Sequence, residues 1–154
     1  MRPILALSVL TLFTAPVLFS TKTAFAADPA AVAKIKGGIV DCVGCNLDGA
    51  DLSNTCVKEH DLHGADFTDA DASLMCMSFA DFTGVSFRGT ELSGANLAGA
   101  KMDGADLTGA KTSITSFLGT DLRKVKGLTQ KQLDVACGNA ATKLPPGLHI
   151  HHCE

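Results

Sequence analysis

Tryptophan and tyrosine are absent, so all eight aromatic residues of this 154-residue chain are phenylalanine. The chain also lacks a nucleophile paired with a base, a phosphate-binding glycine loop and a closed metal constellation in its central region, which argues against an enzyme and implies no cofactor. It has no basic excess: the formal net charge is −3, which argues against nucleic acid as a direct ligand. Beyond residue 19 there is no apolar run long enough to cross a membrane. No second CxxC accompanies Cys42-Val43-Gly44-Cys45, and no histidine follows Cys45. A paired zinc site and haem attachment therefore both fall away.

The start of the chain reads as a separate object. Arg2 precedes an apolar run from Ile4 to Phe19, which is followed by Ala24-Phe25-Ala26. This is the pattern of a secretory signal peptide over 1–26, cleaved after Ala26. The run is sixteen residues long and contains Pro16, short of the ~20 residues needed to span a bilayer. The expected mature chain, 27–154, carries 11 basic and 16 acidic residues and a net charge of −5. Its compartment is the periplasm or the cell exterior. All six cysteines (42, 45, 56, 76, 137 and 153) lie in that part, and an even count in an exported chain reads first as disulfides.

What the chain does have is a period of five. From Leu47, every fifth residue to Leu122 is apolar, with Thr112 the single exception among sixteen positions. Neither a helix nor a half-buried strand has this period, so it belongs to a repeat architecture. Two residues before each of these positions the chain is usually small, as at Ala50, Ala65, Ala95 and Ala105. Two residues after nine of them stands glycine. One large and one small inward residue per five, with a permissive corner, describes a square coil of twenty residues per turn.

Asp or Asn often precedes the central residue, as in Ala50-Asp51-Leu52, Ala65-Asp66-Phe67, Ala95-Asn96-Leu97 and Ala105-Asp106-Leu107. The pattern closely resembles the pentapeptide-repeat family, whose motif is Ala-(Asp/Asn)-Leu-x-x. The resemblance implies an all-β fold, a right-handed quadrilateral parallel β-helix, with four coils over 45–124. The segment 27–44 reads as an N-terminal cap with a short helix from Ala30 to Lys36 that Gly37-Gly38 ends. Residues 125–154 read as a helix over 130–137 with a capping box at Thr129 and Gln132, then a tail.

Residues twenty apart stack in such a coil, and several stacks carry chemistry. Cys56 and Cys76 fall one coil apart, with Cα atoms expected at ~4.8 Å, within disulfide reach after a small local twist. Cys137 and Cys153 bracket the C-terminal segment, where a bond contributes roughly 3 kcal/mol in the chain-entropy picture. Cys42 and Cys45 remain, read as a structural disulfide with thiol chemistry of the CxxC as the alternative. Asp51, Asp71 and Glu91 fall on one face beneath Lys111, a like-charged trio that reads as a solvated ridge or as an interaction face for a cation or basic partner. Ser53, Ser73, Ser93 and Ser113 align beside it and are expected to hydrogen-bond between coils. His149, His151 and His152 are metal-ligand types in an extended tail, weakened as a site if Cys153 is in a disulfide. His60 takes an inward position near the N-terminal end and reads as a partly buried residue, not a base.

Three functions follow from these features. The leading one is a non-enzymatic exported scaffold, a monomer or weak dimer, that presents stacked faces to a protein partner in the cell envelope. The family resemblance suggests a second, mimicry of duplex DNA against a type II topoisomerase. Here the coils carry a net charge of −6 over ~19 Å, whereas B-DNA of that length carries about 11. A signal peptide would also remove the chain from the cytoplasm. The third is metal binding through the histidine tail, with Asp51, Asp71 and Glu91 as a weaker oxygen site.

Overall fold

A computed structural model describes residues 26–38 and 41–153. Apart from Ala26, the expected signal peptide lies outside these residues.

The five-residue period is built from turns. The amide three residues after each central apolar residue donates to that residue's carbonyl, as in Ala50 N to Leu47 O (3.0 Å) and Ala95 N to Leu92 O (2.9 Å). The third residue of each such β-turn up to Gly119 has positive φ, which is why glycine recurs there. The Asp or Asn of the motif stabilises the same turn from the other side. Asp66 Oδ1 accepts from the amide of Thr68 (2.9 Å), and Asn96 Oδ1 accepts from that of Ala98 (3.0 Å). These residues are local turn formers before they are surface charges.

Four turns return the chain to its starting column. Parallel bridges join Asn46 to Asp66 and on through Ser86, Asp106 and Lys126; other columns run Asp51, Asp71, Glu91, Lys111 and Cys56, Cys76, Asn96, Ser116. All sixteen central residues are buried to 2% exposure or less. Phe67, Phe82 and Phe87 meet in the middle, with ring centroids 5.2–6.1 Å apart. Met75 and Ala72, one large and one small for their positions, are both fully buried in the same coil. The buried threonines at small inward positions bond downwards, for example Thr90 Oγ1 to Phe67 O (2.6 Å) and Thr115 Oγ1 to Leu92 O (2.8 Å). Thr112, the one polar central residue, donates to Gln132 O (2.7 Å), where the last helix crosses the coil.

Helix α1 (Pro29–Lys36) begins with Asp28 accepting from Ala30 N and Pro29 in its first turn, and it adds Ala31 and Ile35 to the core. Helix α2 (Gln130–Leu133) has the capping box of Thr129 and Gln132, but it is only four residues long, not the eight expected over 130–137. Its extension loses to the stack. Val135 O accepts from Ile114 N, Cys137 N donates to Thr115 O, and Cys137 pairs with Ser116. The twenty-residue pairing thus resumes after α2, with slightly longer spacing, through β1 (Cys137–Gly138) and on to Asp121 with Lys143. The tail adds β2 (His151–His152), parallel to β1.

Three disulfides form: Cys42–Cys45, Cys56–Cys76 and Cys137–Cys153, with Cα separations of 5.4, 4.4 and 4.9 Å. No helix among the described residues is long and apolar enough to cross a membrane.

Candidate functional site: an uncharged face with strained apolar corners

Three of the four faces carry charged side chains in registered columns. On the first, Asp51, Asp71 and Glu91 do come together, but the column is relieved at both ends: Lys36 lies 3.5 Å from Asp51 and Lys111 lies 3.1 Å from Glu91. The serine hydroxyls beside it do not link coils. Ser53 Oγ donates to Asp51 (2.7 Å), Ser73 Oγ to Asp71 (2.6 Å) and Ser93 Oγ to Glu91, each within its own turn. The second face pairs Asp81 with Lys101 (3.1 Å) and Asp121 with Arg123 (2.6 Å), and the third pairs Asp106 with Arg88 (3.1 Å).

Hydrogen bonds lower the pKa of Glu91, Asp106 and Asp121. The Ser93 hydroxyl does so for Glu91, the Thr108 hydroxyl for Asp106, and the Arg123 guanidinium brings Asp121 to about 2. Folded values below unfolded ones contribute stability that is complete above the ordinary carboxylate range and is lost as pH falls through the folded values. Urea unfolding at a series of pH values is therefore expected to give a stability that is level above about pH 5 and falls progressively as pH is lowered below the unperturbed carboxylate value of about 3.9. A stability that does not change between about pH 5 and about pH 2 would show that these bonds do not persist in solution.

The fourth face is different. Residues 75–78, 95–98 and 115–118 contain no charged side chain. Its outward column is Cys56, Cys76, Asn96, Ser116 and Cys137, so both long-range disulfides sit on it, and Cys153 Sγ lies 4.0 Å from Ser116 Oγ. Large apolar residues occupy its corners. Leu74 and Ile114 stand on one edge with Val135 bonded above Ile114, and Phe79 stands on the other. These four are among the five large apolar side chains more than half exposed in the described residues, with Ile114 the most exposed at 77%.

The same corners are strained. Leu74, Phe79 and Ile114 have φ of 57°, 60° and 58°, in the left-handed region where most other corners of this coil carry glycine. A β-branched residue such as Ile114 is a marked outlier there. Such conformations cost of order 1–3 kcal/mol each and persist where something else selects the side chain. Leu74 and Phe79 lie flat along the edge, their side chains filling the space beside Gly94 and Gly99 one coil on. Those two glycines answer to their positive φ, and a Cβ at either would also displace the outer atoms of Leu74 or Phe79.

Residues 45–78 and 76–111 match the family model of pentapeptide repeats, in eight copies. The chain is a pentapeptide-repeat protein. Its coil is similar to that of HetL, a pentapeptide-repeat protein involved in regulating heterocyst differentiation in the cyanobacterium Nostoc sp. strain PCC 7120. The two are 24% identical over 73% of this chain and 52% of HetL, with a TM-score of 0.56, so this pentapeptide-repeat protein spans about half of HetL's length. The fold is accordingly a right-handed quadrilateral β-helix. A second Nostoc pentapeptide-repeat protein matches at 19% identity over 77% of this chain and 97% of its own, with a TM-score of 0.39. One from the thylakoid lumen of Arabidopsis thaliana matches at 20% identity over 77% and 66%, with a TM-score of 0.31. No curated protein matches the chain.

Elsewhere on this pentapeptide-repeat protein, an open groove of about 390 Å3 lies between Lys111–Ser113 and α2. Its polar groups are largely engaged, Thr112 with Gln132 O and Lys111 with Glu91. His149 is held by Gln130, whose amide donates to His149 O (3.0 Å), and His151 and His152 are exposed in β2. The Cys153 sulfur is bonded to Cys137, and no three His, Cys, Asp or Glu side chains among the described residues gather to hold a metal. His60 Nδ1 lies 3.3 Å from Asp41, half-buried and beside no nucleophile.

The uncharged face leaves two marks in the sequence that charge and metal-ligand patterns do not single out. At the glycine corners stand Leu74, Phe79 and Ile114, and one of the four twenty-residue columns is free of charge.

Proposed function

We propose that this protein is a non-enzymatic, exported scaffold that binds a partner protein in the cell envelope through its uncharged face. The observation that carries this reading is the coincidence of three costs on one surface. Leu74, Phe79 and Ile114 are apolar, solvent-exposed and held at positive φ, where glycine would carry no steric cost. Stability alone does not select such residues, whereas contact with another protein does. The solenoid suits this role because each coil fixes its neighbours and holds the face rigid.

Replacing Phe79 with a photo-crosslinking phenylalanine analogue in the native cell tests the face. Crosslinks to one protein are expected from position 79 and not from Asp103 on a charged face. Equal crosslinking from both positions, or none from 79, would remove the reading. Export is tested separately by intact mass of the native protein, alkylated without reduction. The expected mass fits residues 27–154 with all six cysteine thiols protected. A full-length, alkylated chain would place the protein in a reducing compartment.

A further inference from the structure

We propose that the uncharged face is the docking site for a single amphipathic helix of a partner protein, lying along the solenoid axis with an uncharged apolar stripe against Leu74, Phe79 and Ile114. This rests on the reading that the face binds a partner protein, and it names the element that is bound.

The shape of the face comes first. Its floor is made of Ser78, Ala98, Asn96 and Ser116 with the half-buried Leu118 on the last coil, and its edges carry the large side chains Leu74, Ile114 and Phe79. The Cys56–Cys76 bond marks one end and the Cys137–Cys153 bond, beside Ser116, the other. One side of the coil is ~10 Å wide and the rungs between the disulfides span ~14–19 Å. A helix is ~10–12 Å across and three turns are ~16 Å long. The floor is thus a shallow bed of one helix's width and about three turns' length.

The same dimensions tell against a second copy of this chain. A face of ~10 by ~20 Å offers a few hundred Å2, the footprint of one short helix and well below the ~800 Å2 per partner of the standard-size interface that a dimer of whole chains would need.

Backbone chemistry tells against an extended peptide. Every rung of the face already spends its amides and carbonyls along the stack: Met77 N on Asn96 O, Asn96 N on Met75 O, Leu97 N on Ser116 O and Ser116 N on Ala95 O. No edge is open on this face for strand addition, so an extended segment would leave its own peptide groups unpaired against an apolar surface. A helix satisfies its backbone internally.

Charge tells against the remaining partners. The rungs at 75–78, 95–98 and 115–118 hold no charged residue, Lys58 on the first rung is paired with Glu59 (3.2 Å), and the chain is acidic overall, so neither an anionic membrane nor a basic or acidic stripe finds a complement along those rungs.

The test is a display selection of random peptides of about sixteen residues, long enough for four helical turns, on the purified disulfide-bonded protein. Enriched peptides are expected to carry apolar residues at i, i+3, i+4 and i+7 and to become helical on binding by circular dichroism. They are expected to lose about tenfold or more in affinity for a Leu74→Gly, Ile114→Gly variant, which removes two apolar anchors while giving each corner its favoured residue. Period-two peptides, charged stripes, equal binding to the variant or no enrichment would each overturn the proposal. So would binding of the protein to phosphatidylcholine or phosphatidylglycerol vesicles through Phe79. If position 79 crosslinks one protein in the cell but selection yields period-two peptides, the face stands and the helix falls. If crosslinks come from all faces alike, both fall.

Discussion

Phe87→Ala is expected to remove about 3–5 kcal/mol of folding stability, the range for truncating a fully buried aromatic ring. Phe87 is fully buried and lies within 5.2 Å of the Phe67 ring centroid and 5.3 Å of that of Phe82. It is the ring that both others approach most closely, so its loss removes two aromatic contacts as well as buried area. The space left behind cannot close easily. Phe67 sits one coil below, fixed by its amide bond to Ser86 O (2.8 Å), and position 87 is fixed to Asp106 O (2.8 Å). Collapse of the cavity would have to break the rung spacing of the stack. A domain of this size holds roughly 6–19 kcal/mol in total, so the loss is a large share of it. Urea unfolding of the two proteins measures the difference. A cost under about 1.5 kcal/mol would mean that the coils relax around a void, contrary to the rigidity assumed for this face-bearing scaffold.

The core was legible in the sequence because one rule repeats: each central residue is inward, whatever its identity. Ala72 and Thr112 depart from the apolar pattern in size or polarity, yet both are buried, one beside the large Met75 and the other bonded to Gln132 O. The Cys56–Cys76 pair was legible for the same reason, since a twenty-residue period places one over the other. The end of the coil was less so. Thr129 and Gln132 announce a helix correctly, but nothing local tells that residues 135–143 rejoin the stack, because that follows from amides of Ile114 and Leu122 needing acceptors. The acidic ladder misled because charge is conspicuous in a sequence, while its use is local. Asp51 and Asp71 close their own turns through Ser53 and Ser73. The informative signal was the opposite one, an apolar residue where a glycine belongs.

Combining Leu74→Gly, Phe79→Gly and Ile114→Gly is expected to abolish partner binding while leaving the melting temperature unchanged or raised. Ordinarily, deleting three large apolar side chains destabilises a protein by several kcal/mol. Here the side chains are mostly exposed, at 61%, 60% and 77%, so little buried area is lost. Each change also relieves a left-handed backbone conformation worth about 1–2 kcal/mol, against about 0.5–1 kcal/mol of extra chain entropy for glycine. Ile114 gives the clearest gain, being β-branched and the most exposed of the three. Leu74 and Phe79 give less, because their side chains also cover the corners at Gly94 and Gly99. Binding moves the other way. An apolar anchor desolvated at an interface contributes about 1.5–3 kcal/mol, so losing three lowers affinity by far more than tenfold. Thermal melts and partner capture on the same preparations separate the two effects. A triple variant that melts much lower would show that these residues serve the fold, and one that melts higher yet binds normally would show that the partner uses another face. Stability gained together with binding lost is the combination that only a surface selected for contact produces.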